Sequence, residues 1–79
     1  MDVEEGHQPP RVACSAKAYP EPSYEWRRND VVIAKGNVLY IYRNMTKADS
    51  GPYECVSFNK HGNHSTTAHM NVLCMHLLC

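Results

Sequence analysis

Seventy-nine residues make one domain at most, and the eight basic side chains balance the eight acidic ones, so no net field draws a nucleic acid or an anionic membrane surface. A chain this small buries only about 60–65% of the surface its unfolded form exposes, which excludes a large core and makes a covalent staple valuable. Leu77-Leu78 is too short to span a bilayer, and Met1-Asp2-Val3-Glu4-Glu5 has neither the basic start nor the apolar run of a secretion signal.

Alternation places the elements. In Val12-Ala13-Cys14-Ser15-Ala16 the residues Val12, Cys14 and Ala16 share one face while Arg11 and Lys17 fall on the other, as a half-buried strand requires. Pro9-Pro10 just before it puts pairing of the first strand in doubt. Tyr19-Pro20-Glu21-Pro22 then breaks the ladder, because proline has no N–H to donate. The next run, Ser23-Tyr24-Glu25-Trp26-Arg27, points Tyr24 and Trp26 inward. Asn29-Asp30 is a turn signal, followed by a short strand Val31-Val32-Ile33 and the flexible Lys35-Gly36-Asn37. Val38-Leu39-Tyr40-Ile41-Tyr42 is the clearest strand of all, with Leu39 and Ile41 toward the core. In Tyr53-Glu54-Cys55-Val56-Ser57-Phe58 the inward set is Tyr53, Cys55 and Ser57. Pro52 is tolerable only if it precedes the paired part of that strand. Asn59-Lys60-His61-Gly62 reads as a four-residue hairpin loop, and Ser65 to Val72 returns as a strand that closes the core with Met70 and Val72.

Taken together, Cys14, Tyr19-Pro20-Glu21-Pro22 ahead of Trp26, Leu39-x-Ile41, Asp49-x-Gly51-x-Tyr53-x-Cys55 and Asn59-Lys60-His61-Gly62 resemble the intermediate-set immunoglobulin domains of cell-surface adhesion and recognition proteins. The likeness runs from roughly Val3 to Leu73. It implies an all-β immunoglobulin-like sandwich of two antiparallel sheets, a Cys14–Cys55 disulfide, Trp26 packed against that bridge, and Tyr53 at the corner before the second cysteine. Trp26, Leu39 and Tyr53 are the implied core. A bridge closing about forty residues is worth about 4 kcal/mol in the chain-entropy model. Only thirteen residues lead from Trp26 to Leu39, so the strand this family calls D should be short or absent, and the first strand is expected to be truncated. That short span and the turn after Phe58 look like nephrin-type and echinoid-type receptors. One domain over residues 1–73 with an irregular tail over 74–79 is the expected organisation.

Asn44-Met45-Thr46 and Asn63-His64-Ser65 satisfy the acceptor rule for N-glycosylation, making Asn44 and Asn63 candidate sugar sites in the secretory pathway. His61, His64, His69, Cys74, His76 and Cys79 invite a zinc reading, but His69 alternates to the outer face and the tail residues lack a scaffold, so no metal and no cofactor are expected. Four cysteines allow three pairings, and Cys74 and Cys79 could pair together, link another chain or stay free. Catalysis is not expected: Ser50 lies in a tight corner without a strand-to-helix elbow, and Asp49 has a structural task hydrogen-bonding at that corner.

For binding, the outward set Glu25, Arg27, Glu54, Val56, Phe58 and His69 combines two apolar side chains with a charged rim, so Arg27, Val56, Phe58 and His69 are the candidate protein-binding residues. Tyr40 and Tyr42 with Arg11, Ser15 and Lys17 form a second face. The resemblance implies a non-enzymatic extracellular module that binds another protein, most simply a second immunoglobulin-type domain, as part of a longer cell-surface protein. The missing signal sequence fits a fragment of such a protein. Two alternatives are a structural domain of an intracellular muscle or cytoskeletal protein and a soluble secreted immune-type binding protein.

Overall fold

A computed structural model of the chain describes residues 1–74, which form seven strands and one short 3-10 turn. In chain order these are β1 (Asp2–Glu4), β2 (Val12–Ala13), β3 (Ser23–Arg28), β4 (Val31–Lys35), β5 (Val38–Leu39), the turn at Lys47–Asp49, β6 (Gly51–Asn59) and β7 (Gly62–Leu73). A five-stranded sheet in the order β1-β7-β6-β3-β4 packs against a two-stranded sheet of β2 and β5, the all-β sandwich predicted from sequence. Every pairing is antiparallel except that of β1, which runs parallel to β7.

Trp26, only 2% exposed, sits in a core with Leu39, Tyr53, Cys55, Met70 and Val72. The Cys14–Cys55 disulfide joins the small sheet to the large one with the two Cα atoms 6.5 Å apart. A second tie is the Asn37 carbonyl, which accepts both the Cys14 N–H at 2.8 Å and the Trp26 indole N–H at 3.2 Å. Turn chemistry sets the hairpins. Asn29 and Asp30 both take positive φ, 52° and 64°, a two-residue reversal whose twist matches the flanking strands. At the other hairpin the Asn59 side chain accepts the His61 N–H at 2.9 Å and donates to the Pro20 carbonyl at 3.0 Å, tying that end to the segment before β3.

Four details differ from the sequence reading. The strand expected over Val38–Tyr42 pairs only at Val38 and Leu39. Extending the observed register, Val12 opposite Leu39, would set Ile41 against Pro10 and Tyr42 against Pro9, neither of which has an N–H. The four-residue loop is a two-residue one, Lys60-His61, because Asn59 pairs with Gly62 and β7 starts three residues earlier than Ser65. Pro52 lies inside the β6–β7 ladder, opposite His69, instead of ahead of it. The Asn71 N–H donates to the Met1 carbonyl, so odd-numbered β7 amides face β1 and the Pro52–His69 pair exchanges no hydrogen bond. The ring nitrogen of Pro52 therefore points toward β3, whose pairing with β6 has already ended at Glu54. Lastly, the first strand, though short, is paired, since it ends five residues before Pro9.

Met45 is fully buried although it stands among Arg43, Asn44, Thr46 and Lys47. Its backbone is gripped on both sides: the Met45 N–H donates to the His7 carbonyl and the Gly6 N–H donates to the Met45 carbonyl, each at 2.9 Å. Met45→Ala should lower stability by about 2–4 kcal/mol. Tyr42→Ala, at a side chain 82% exposed, should change it by less than about 0.5 kcal/mol. Urea midpoints of the two variants check this, and equal effects would remove Met45 from the core.

Candidate functional site

Because Tyr24, Trp26, Cys55 and Ser57 point inward, their neighbours on β3 and β6 form the outer face of the large sheet. The register sets Glu25 opposite Val56 and Arg27 opposite Glu54, with Lys35 flanking Glu25 from β4. Arg27 donates its Nε–H to Glu25 Oε1 at 2.8 Å, and a second N–H goes to the same oxygen. These charges offset one another, and Val56 is half-buried beside them. Phe58, 40% exposed, stands at the end of the row and borders two open hollows of about 590 and 580 Å³. Lys17, Tyr19 and His61 line the first, and Glu21, Tyr24 and Lys35 the second. An aromatic ridge between two hollows is suited to anchoring a protein partner.

Val56 and Phe58 are thus neighbours on one face, with Arg27 on the row of Glu54, about 13 Å along the strand from Phe58. His69 is more distant: it faces Pro52, six residues along β6 from Phe58, a separation of about 20 Å along a strand. Alternation fixed its face without fixing its height. Both candidate sugar acceptors are exposed, Asn44 in the loop before Met45 and Asn63 on β7. Asn63 is the direct cross-strand partner of Phe58, so their Cβ atoms lie about 5 Å apart. A sugar on Asn63 and a protein on Phe58 would therefore occupy the same surface.

The second face holds a different cluster. The Tyr40 and Tyr42 rings meet edge to face with centroids 4.0 Å apart, and the Arg11 guanidinium lies 4.7 Å from the Tyr40 centroid. Sequence reading did not mark β4 as an exposed site, yet Val31, Val32 and Ile33 are all exposed there.

The corner before β6 is built from charges that sequence reading assigned only in part. Asp49 is buried and chelated by Arg43, with N···O distances of 2.7 and 2.6 Å, and it also accepts the Thr46 N–H at 2.8 Å. The Arg43 hydrogen bonds hold its carboxyl well below the usual carboxylate range. Arg28 donates to the Ala48 and Ser50 carbonyls at 2.7 and 2.8 Å, and also to the Asp49 carbonyl and the Tyr53 hydroxyl. The Tyr53 hydroxyl in turn donates to the Asp49 carbonyl at 2.7 Å, and burial pushes its pKa up. The apolar Met45 ahead of Thr46-x-x-Asp49 was the available sequence signal for this capped turn.

Ser50 Oγ accepts the Val72 N–H at 3.0 Å, and His61 lies beyond the far end of β6, about 27 Å or more along the strand. Among the described residues no three His, Cys, Asp or Glu side chains gather as a metal site, and no helix is long and apolar enough to cross a membrane. Cys74 is disulfide-bonded, while His76 and Cys79 lie outside the described residues.

Comparison with known proteins agrees with this geometry. The immunoglobulin domain family matches residues 5–72. Contactin-4 of Rattus norvegicus is 33% identical over 70 residues, which cover 77% of this chain and 7% of that protein. Contactin-2 of Homo sapiens is 32% identical over 68 residues, covering 78% of this chain and 6% of its own length. The netrin receptor DCC of Mus musculus is 35% identical over 70 residues, covering 78% and 5%. The chain thus spans only 5–7% of the length of these curated relatives. Among solved structures, the titin M10–obscurin-like 1 Ig complex superposes with a TM-score of 0.73 at 20% identity, covering 92% of this chain and 84% of that one. That likeness carries the fold alone. These relatives carry the immunoglobulin assignment, while the finer likeness to nephrin-type and echinoid-type receptors rests on the sequence motifs.

The Arg43–Asp49 pair has a pH signature. A depressed folded-state carboxyl pKa contributes stability above the unfolded value of about 3.9, and that contribution is lost as pH falls through the folded pKa. Arg43 is largely exposed, so solvent screening limits the pair: Arg43→Ala should cost about 1–2 kcal/mol at pH 7. The gap between parent and variant melting temperatures should narrow as pH falls from about 5 toward 2. A gap that stays constant over this range would mean that the ion pair is not its source.

Proposed function

Because the chain belongs to the immunoglobulin domain family, we propose that it is a non-enzymatic protein-recognition module of an adhesion or receptor protein at the cell surface. The observation that carries this reading is its likeness, across more than three quarters of its length, to contactins and a netrin receptor, which are cell-adhesion immunoglobulin proteins. The Cys14–Cys55 bridge supports an extracellular setting, since such bonds persist where the environment is oxidising. Two exposed sequons point the same way.

In this reading a partner protein, most simply another immunoglobulin-type domain, seats an apolar pocket over Phe58 and covers Val56. Glu25, Arg27 and Glu54 form the rim that sets register and rejects mismatched charge. Asn44 leads into the corner where β6 begins, whereas Phe58 is near the other end of that strand, about 24 Å away along it. Sugar on Asn44 therefore leaves the Phe58 face open, and sugar on Asn63 covers it.

The test is non-reduced peptide mapping of the natural protein by mass spectrometry. A Cys14–Cys55 linkage with sugar on Asn44 is expected, whereas sugar on Asn63 would keep the extracellular setting and reject Phe58 as the anchor. Free thiols with bare asparagines would overturn the extracellular reading and favour an intracellular structural domain. A soluble secreted protein gives the same map and is separated by whether the natural protein fractionates with membranes. On the recognition face, Phe58→Asp should weaken binding of a fluorescent multimer of the chain to partner-bearing cells by roughly tenfold or more, the effect of losing an anchor residue. Equal binding with matched melting temperatures would reject Phe58 as the anchor.

A further inference from the structure

The segment that leaves β5 turns one side to the interior and the other to solvent. Leu39 and Met45 are buried, Ile41 packs against the core, and the Arg43 guanidinium chelates the buried Asp49. The residues between them, Tyr40, Tyr42 and Asn44, therefore share the outward face, with successive side chains about 7 Å apart. The Tyr40 and Tyr42 rings meet with centroids 4.0 Å apart, as that placement requires. Asn44, the acceptor of an Asn-x-Thr sequon, comes next on the same line.

The two rings are differently engaged. Tyr40 is half-buried and carries the Arg11 guanidinium 4.7 Å from its centroid. Tyr42 is 82% exposed and braced by Tyr40 at one side, which leaves much of its ring surface free. The backbone on either flank of Asn44 is held. Met45 is pinned to His7 and Gly6 by two hydrogen bonds of 2.9 Å, and Arg43 is tied through its side chain to Asp49.

We propose that Tyr42 is the stacking platform for the first N-acetylglucosamine of an N-linked glycan on Asn44, so that the attached sugar lies back along the small sheet and closes its outer face. The inference rests on the extracellular reading above, which supplies the sugar. The C–H bonds on one face of a pyranose carry partial positive charge, and the face of an aromatic ring carries the complementary negative charge. A sugar on Asn44 has to reach back over only two residues to meet Tyr42. Its attachment point is already ordered by Arg43 and Met45, and the ring is already braced by Tyr40, so little freedom is lost when they touch. Covered in this way, the Tyr40–Tyr42 face is closed to proteins, and recognition is left to the large sheet, where Val56 and Phe58 point away from this glycan.

The test uses the 79-residue chain secreted by a eukaryotic host, with Asn63→Gln to leave a single acceptor, and trimmed by an endoglycosidase to one N-acetylglucosamine on Asn44. Mass spectrometry confirms the occupancy. Expected are nuclear Overhauser contacts between the Tyr42 ring and the sugar C–H protons, with upfield ring-current shifts of those protons. The glycoform should melt roughly 3 °C or more above the bare chain carrying Asn44→Gln. Tyr42→Ala should abolish the contacts and most of that difference while barely altering the bare chain, whereas Tyr42→Phe keeps both. Tyr19→Ala, at a ring 92% exposed, should leave them unchanged. A glycoform whose melting and sugar shifts are the same with and without the Tyr42 ring would overturn the proposal, as would an Asn44 that the host leaves bare. Contacts that vanish on dilution would place the sugar on a neighbouring molecule's tyrosine and overturn it too. Should Tyr42→Ala destabilise the bare chain as well, the Overhauser contacts in the parent glycoform still decide. None of these outcomes touches the extracellular reading, which fails instead on free thiols and bare asparagines in the natural protein.

Discussion

The small sheet cannot hold itself together. Its two strands contribute two residues each, and a pairing so brief has no independent stability in water. What fixes it is the Cys14–Cys55 bridge, closing a sequence separation of 41 residues, with the Asn37 carbonyl clamping Cys14 and Trp26 from the side. A bridge over a loop of that length contributes about 4 kcal/mol in the chain-entropy model, a large share of the 5–15 kcal/mol that a whole domain commands. Without it, Leu39 would lose the partner layer that keeps it buried, and Trp26 would face water.

Stability and the proposed recognition face share β6. Tyr53, Cys55 and Ser57 point into the sandwich, while Glu54, Val56 and Phe58 point out of it, so one nine-residue strand carries the bridge on one side and the proposed binding ridge on the other. The corner that launches this strand is held by two arginines doing different tasks. Arg43 neutralises the buried Asp49, and Arg28 gathers the carbonyls that the turn leaves without backbone partners. For the proposed anchor role of Phe58, a stiff origin to the long hairpin would limit the loss of order on binding.

The parts legible in the sequence are those governed by local pattern. The alternation around Trp26 and Cys55, the Asn29-Asp30 reversal and the inward Met70 and Val72 all follow from period and turn chemistry. The Val38–Tyr42 alternation predicts a longer strand than forms because period says nothing of the partner, and here the partner line runs into Pro10 and Pro9. Arg28 was opaque for a related reason: the carbonyls it binds lie 20 to 22 residues away in sequence. His69 shares a face with Phe58 yet lies at the far end, since period two gives sidedness without height. Met45 was hidden by polar neighbours, and only the capped turn after it hinted at burial.

The irregularity between Trp26 and Arg27 leaves Ile33 unmatched on β4, so Val32 and Ala34 face consecutive residues of β3. Val31, Val32 and Ile33 together make an exposed, β-branched edge strand, the pattern that seeds sheet-to-sheet aggregation and fibre growth. The extra residue breaks the two-residue rhythm that an incoming strand would need to match, and Lys35 places a charge at the end of the same edge. The bulge thus serves as a safeguard of solubility, which matters most for a domain displayed at high local density, where identical edges meet often.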